Sequence, residues 1–146
     1  MSTNDWLAIA GLVIIVALAA YAWVLWRRVW QAQNRRDAAA SERNELLEQD
    51  IRFLAQSMLN GQLPFIEGSI RIKVLLDNYT GPRRAGLQVA IFEHIYDATA
   101  HIPTHQGWKD LGRAERELHQ RTMETLERVH REEVEHAARQ LSDGLK

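Results

Sequence analysis

From Trp6 to Trp26 the chain carries no charged residue and consists mostly of Leu, Ile, Val and Ala; Arg27 and Arg28 follow at once. About 21 residues at 1.5 Å rise cover about 30 Å, the thickness of a bilayer's hydrocarbon core. Trp6 stands at one end, with Tyr21, Trp23, Trp26 and Trp30 towards the other, as expected where amphipathic rings settle among headgroups. The pattern predicts one transmembrane helix over residues 6–26, with Trp6, Trp23, Trp26, Trp30, Arg27 and Arg28 as its membrane anchor. A cleaved secretory signal fits less well. It needs a basic start and an apolar core of roughly 7–15 residues, whereas Ser2-Thr3-Asn4-Asp5 holds an acid and no base. A buried core helix fits less well again, because soluble helices keep a polar face.

No Gly or Pro occurs between Gly11 and Gly61, so the anchor is expected to continue as a helix into a juxtamembrane stalk over residues 27–45. Ser41 would N-cap a separate helix if the stalk broke there. From Leu47 the pattern becomes amphipathic: Leu47, Ile51, Leu54 and Met58 recur at four-three-four spacing, with Phe53 and Leu59 widening the face. Gly61 and Pro64 end this helix. Residues 65–78 fit two templates. Ile70, Ile72, Val74 and Leu76 alternate as in a strand, while Ile66, Ile70 and Val74 with Phe65, Ile72, Leu76 and Tyr79 keep helical spacing. No second strand is visible to complete a ladder, so helix is preferred.

Thr80-Gly81-Pro82 reads as a turn. A third helix is predicted over about Ala85–Ala100, with Leu87, Ile91, Ile95 and Ala98 on one face, stopped by Pro103. A fourth is predicted from near Trp108 to Leu141, its stripe formed by Leu111, Leu118, Leu126, Val129, Ala137 and Leu141. Short connections favour antiparallel neighbours. The expected fold is therefore all-α: an N-terminal transmembrane helix continuing into a stalk, then an antiparallel bundle of about four helices over residues 46–146.

All 18 Lys and Arg follow the apolar segment. Basic residues flank the cytoplasmic side of a span, so residues 1–5 are expected outside and the bundle in the cytoplasm. The absence of cysteine fits a reducing compartment. Acids and bases nearly balance beyond the anchor, which argues against nucleic acid as a partner. Membrane lipid, together with a protein partner or a second copy, is what the chain predicts instead.

Histidine is the one chemical enrichment. His94, Asp97 and His101 fall at i, i+3 and i+7, one side of a helix, and His105 closes the run His101-Ile102-Pro103-Thr104-His105. Glu115 and His119 in the fourth helix would face them if the helices pack, as in metal-binding bundles. The plainer reading is a structural hydrogen-bond network, with His101 and His105 serving backbone groups at a helix end. Glu127…His130 and Glu133…His136 have metal-bundle spacing, but both lie on one helix, and such matches are common on Glu-rich surfaces. Arg83 and Arg84 precede the third helix and suggest an anion site; a solvated turn is the simpler reading. Trp108, Tyr96 and Tyr79 read as core before they read as a partner groove. There is no P-loop, no Gly-x-Ser-x-Gly, no dinucleotide fingerprint and no cysteine nucleophile. No catalytic residue and no cofactor is assigned, and the reading favours a role other than enzyme.

The segment Glu67-Gly68-Ser69-Ile70-Arg71-Ile72-Lys73-Val74-Leu75-Leu76-Asp77, the run Tyr96-Asp97-Ala98-Thr99 with His101-Ile102-Pro103-Thr104-His105, and the N-terminal anchor resemble a family of uncharacterised proteobacterial membrane-anchored proteins, domain of unknown function 2489. The resemblance covers nearly all of the chain beyond the anchor. It implies an inner-membrane protein of a Gram-negative bacterium and brings no catalytic residues with it. The expected function is a membrane-anchored protein-interaction or scaffold module. The alternative is a metal-binding helical-bundle enzyme or sensor using His94, Asp97, His101 and His105.

Overall fold

The computed structural model describes residues 3–146, with side chains from Trp6 onward; residues 1 and 2 of the segment read as extracytoplasmic lie outside the described residues. Five helices and no strand are present among the described residues: α1 (Thr3–Leu59), α2 (Phe65–Asn78), α3 (Ala90–Thr99), α4 (His105–Asp110) and α5 (Arg113–Ser142). The all-α expectation holds, and the ambiguous segment after Pro64 is helical. The chain forms two compact units, Met1–Glu42 and Arg43–Lys146.

The first unit is the earlier part of α1, one helix long and apolar enough to cross a membrane. Its large apolar side chains point outward on every side: Leu12, Val13, Ile14, Ile15 and Val16 are consecutive and all exposed. Nothing in this stretch selects one face, so no bundle face can form from it.

The second unit has a core of its own. Ile51 and Ala55 from α1, Ile72 and Leu76 from α2, Ile91, Phe92 and Ile95 from α3, and Val134, Ala137, Ala138 and Leu141 from α5 form one buried cluster. Each set follows the three-and-four rhythm that puts residues on one helix face. α1 and α2 meet closely at Gly68, where an added Cβ would come within 2.4 Å of the Met58 sulfur. Ser69, fully buried beside it, donates its hydroxyl hydrogen to the Phe65 carbonyl at 2.8 Å. That i−4 bond lets a polar side chain sit in an apolar seam.

The third helix starts later than its pattern predicts. Gly86 has φ +81°, the left-handed region, which breaks a helix begun at Ala85. Residues 80–89 instead cross the bundle as an irregular strap held by tertiary bonds. The Arg84 amide donates to the Leu145 carbonyl at 2.7 Å, and the Gln88 amide to the Gln140 side chain at 2.8 Å. The predicted fourth helix is two helices. Leu111 is extended (ψ 143°), and Glu115 accepts a hydrogen bond from the Gly112 amide at 3.3 Å, the carboxylate half of a capping box that starts α5.

Four apolar residues assigned inward are exposed: Phe53, Val74, Leu118 and Val129. Phe53 lies two residues beyond Ile51, about 200° around the helix from the core-facing position. On α5 the inward face is His119, Met123, Leu126, His130, Val134, Ala138 and Leu141. Leu118 and Val129 each sit one residue before a half-buried histidine. Leu145, unassigned from its pattern, is fully buried. The segment around it is fastened by Glu48, which accepts from the Leu145 amide at 3.3 Å and pairs with Lys146 at 3.4 Å.

Candidate functional site

The histidines expected to share one face are separated by the end of α3. The helix closes at Thr99, where the hydroxyl donates to the Ile95 carbonyl at 2.8 Å and the Ile102 amide donates to the Thr99 carbonyl at 2.9 Å. Ala100 still keeps right-handed helical dihedrals before the closing turn, and both His94 and His101 meet histidines on the inward face of α5. His94 stands edge-on to His130 with ring centroids 4.9 Å apart, and His101 lies 5.6 Å from His119. His130 Nδ1 is 3.6 Å from Glu133, and the Trp108 ring is 6.3 Å from His119.

The remaining candidates are used or placed elsewhere. Glu115 caps α5. Asp97 is exposed on α3. His105 begins α4 in the left-handed region at φ 51°, beside Trp108 on the rim of an open apolar cleft lined by Ile66, Ile70, Ile102 and Met123. The six residues His94, Asp97, His101, His105, Glu115 and His119 thus do not assemble into one cluster. Among the described residues no group of three or more His, Cys, Asp or Glu side chains is placed to hold a metal ion. Two imidazoles fall short of the three or four protein ligands of zinc sites. What the pairs do achieve is a seam: aromatic edges pack the end of α3 and its following loop against α5.

The two arginines read as an anion site are stitches. Arg83 donates from its guanidinium to the Leu76 carbonyl at 2.7 Å, near the end of α2, and Arg84 donates to the Gln140 carbonyl, near the end of α5. Cations at helix C-termini satisfy orphan carbonyls and complement the dipole. No helix begins behind them until Ala90, so the anion geometry is absent. Tyr79, buried in the core, donates its phenol hydrogen to the Pro82 carbonyl at 3.0 Å. Burial, before any charge, pushes its phenol above the usual 10.0. Lys73 bonds to Asp77, which raises its amine above the ordinary lysine value, and its ammonium sits 4.5 Å above the Tyr96 ring centre, tying α2 to α3.

Two further surfaces are open. One is the collar of Trp23, Trp26, Arg27 and Trp30 on α1. The other is an apolar groove between α1 and α2, lined by Phe53, Leu54, Ile70, Val74 and Leu75 and edged by Asp50 and Arg71. Sequence reasoning missed the groove, although Phe53 signalled it by standing off the four-three rhythm of its neighbours.

Neither a curated protein nor a solved structure matches the chain. A family model described as "Protein of unknown function (DUF2489)" matches residues 15–141, from within the apolar part of α1 to the last turn of α5. That match takes in the latter part of the apolar segment, the histidine seam and most of the core, and the chain belongs to this family.

Proposed function

We propose that this is a single-pass inner-membrane protein of a Gram-negative bacterium, with its N-terminus outside and its helical bundle in the cytoplasm, acting as a protein-interaction or scaffold module. The observation that carries the reading is the segment Trp6–Trp26, whose large apolar side chains are exposed on all sides of the helix. A helix apolar all round belongs in lipid. The basic residues Arg27, Arg28, Arg35 and Arg36 on one side only support the orientation, and the first two suit anionic headgroups. Interaction rather than catalysis is supported by the open apolar groove at Phe53 and by histidine contacts that stop at pairs.

The test is an in-cell crosslinking pull-down of the full-length chain, compared with a version in which an unrelated single-pass anchor replaces residues 1–30. A specific partner retained after the exchange assigns recognition to the bundle, as proposed. A partner lost on exchange assigns it to the span. Release of the native chain from membranes by alkaline carbonate would overturn the anchored reading itself.

A further inference from the structure

Phe53 is 67% exposed, Leu46 57% and Val74 44%. Leu46 and Phe53 are seven residues apart on α1, hence on one face, and Phe53 and Val74 line the same groove. The hydrogen bond from Arg43 to Asn78 and the approach of Met58 to Gly68 make α1 and α2 antiparallel neighbours. An acid on α1 and a base on α2 edge this apolar centre. Asp50 has no ion pair among the described residues, and Arg71 holds only Glu67 on its own helix, both side chains about half exposed. Such exposed pairs are weak and exchange readily.

We infer that this groove is the contact between two copies of the chain, with Asp50 of each copy set against Arg71 of the other. A two-fold interface requires one patch to be its own complement. This patch meets that requirement, because α1 brings the acid, α2 brings the base, and the apolar side chains lie between. A two-fold axis that sets α1 of one copy beside α2 of the second forms the ion pair twice and covers Phe53 and Val74. Aromatic and arginine side chains are the usual anchors of such contacts. The inference rests on the anchored reading in one respect: copies inserted the same way share one orientation and are confined to one plane, which raises their effective concentration.

The chain contains no cysteine, so single replacements report cleanly. Full-length Phe53→Cys and, as comparison, Val129→Cys on an exposed face of α5 are oxidised in native membranes. The expected result is a disulfide dimer for Phe53→Cys, about fivefold or more above Val129→Cys. In the Phe53→Cys background, Asp50→Arg and Arg71→Asp each lower the dimer fraction about fivefold or more, and the double reversal restores it. Equal crosslinking at both positions, a monomer at position 53, an adduct with a different protein, or no rescue by the double reversal would each overturn the inference. Carbonate extraction of the same membranes separates the two readings: a retained chain without a dimer defeats only the contact, whereas a released chain defeats the anchor.

Discussion

Ile15 and Ile51 lie on the same helix, yet Ile15 is 65% exposed and Ile51 is 0% exposed. The surroundings of Ile15 are the more apolar of the two. What distinguishes them is spacing. Around Ile51, charged residues such as Asp50 and Arg52 alternate with Leu47, Leu54 and Ala55, so one face gathers the apolar groups and finds α2, α3 and α5. Around Ile15 every direction is equally apolar, and no face is singled out. A protein core is made by asymmetry about a helix, whereas uniform apolarity suits a solvent that is itself apolar.

The contrast can be broken most forcefully at Ile51. Ile51→Ala is expected to cost the bundle about 2–5 kcal/mol, read by denaturant unfolding of the full-length protein in mild detergent, while Ile15→Ala leaves that transition in place. Equal effects would mean that the two stretches share one core. The opposite substitution sharpens the other side. Ile15→Arg is expected to cost about 3 kcal/mol of membrane insertion, seen as loss from the carbonate-resistant fraction, with the unfolding transition of the bundle unchanged.

A smaller effect probes the seam between α1 and α2. Gly68→Leu must displace Met58 and Leu63 and is expected to cost about 1–3 kcal/mol. Gly68→Ala should cost less, because the Met58 side chain is flexible and can swing aside. The smallest concerns pH. Burial raises the Tyr79 phenol above its ordinary 10.0, so the neutral form is favoured by folding. This contribution is fully present below about pH 10 and is lost as pH rises through the higher folded value. Tyr79→Phe should flatten the alkaline limb of stability measured against pH, at the expense of the hydrogen bond to Pro82.

Much of the fold was legible because it depends on local rhythm. The faces carrying Ile51, Ile72, Ile91 and Ala137 were read correctly, and so was the helical state of α2. The failures share a cause. Gly86 and the strap after Tyr79 are held by bonds to Gln140 and Leu145, partners more than fifty residues away that no local pattern reveals. The break at Gly112 rests on one carboxylate returning to one amide. The histidine spacing was read along a helix that ends at Thr99, yet His94 and His101 both reach α5. The pairings across to α5 depend on tertiary packing. For the candidate site, the sequence placed His119 opposite the His101 group, which the fold brings together, and left the His94–His130 contact unread.

The seating of Leu145 has a consequence for how the molecule is made. Its amide reaches Glu48 across a sequence separation of 97 residues, and its carbonyl holds the strap at Arg84. During synthesis α1, α2 and α3 emerge first, and the part of the core that α5 and Leu145 supply is added last. Loops of that length close late, because the entropy of joining distant parts must be met before their contacts stabilise anything. The core is therefore completed last at Leu145, after both of its distant partners, Glu48 and Arg84, have emerged.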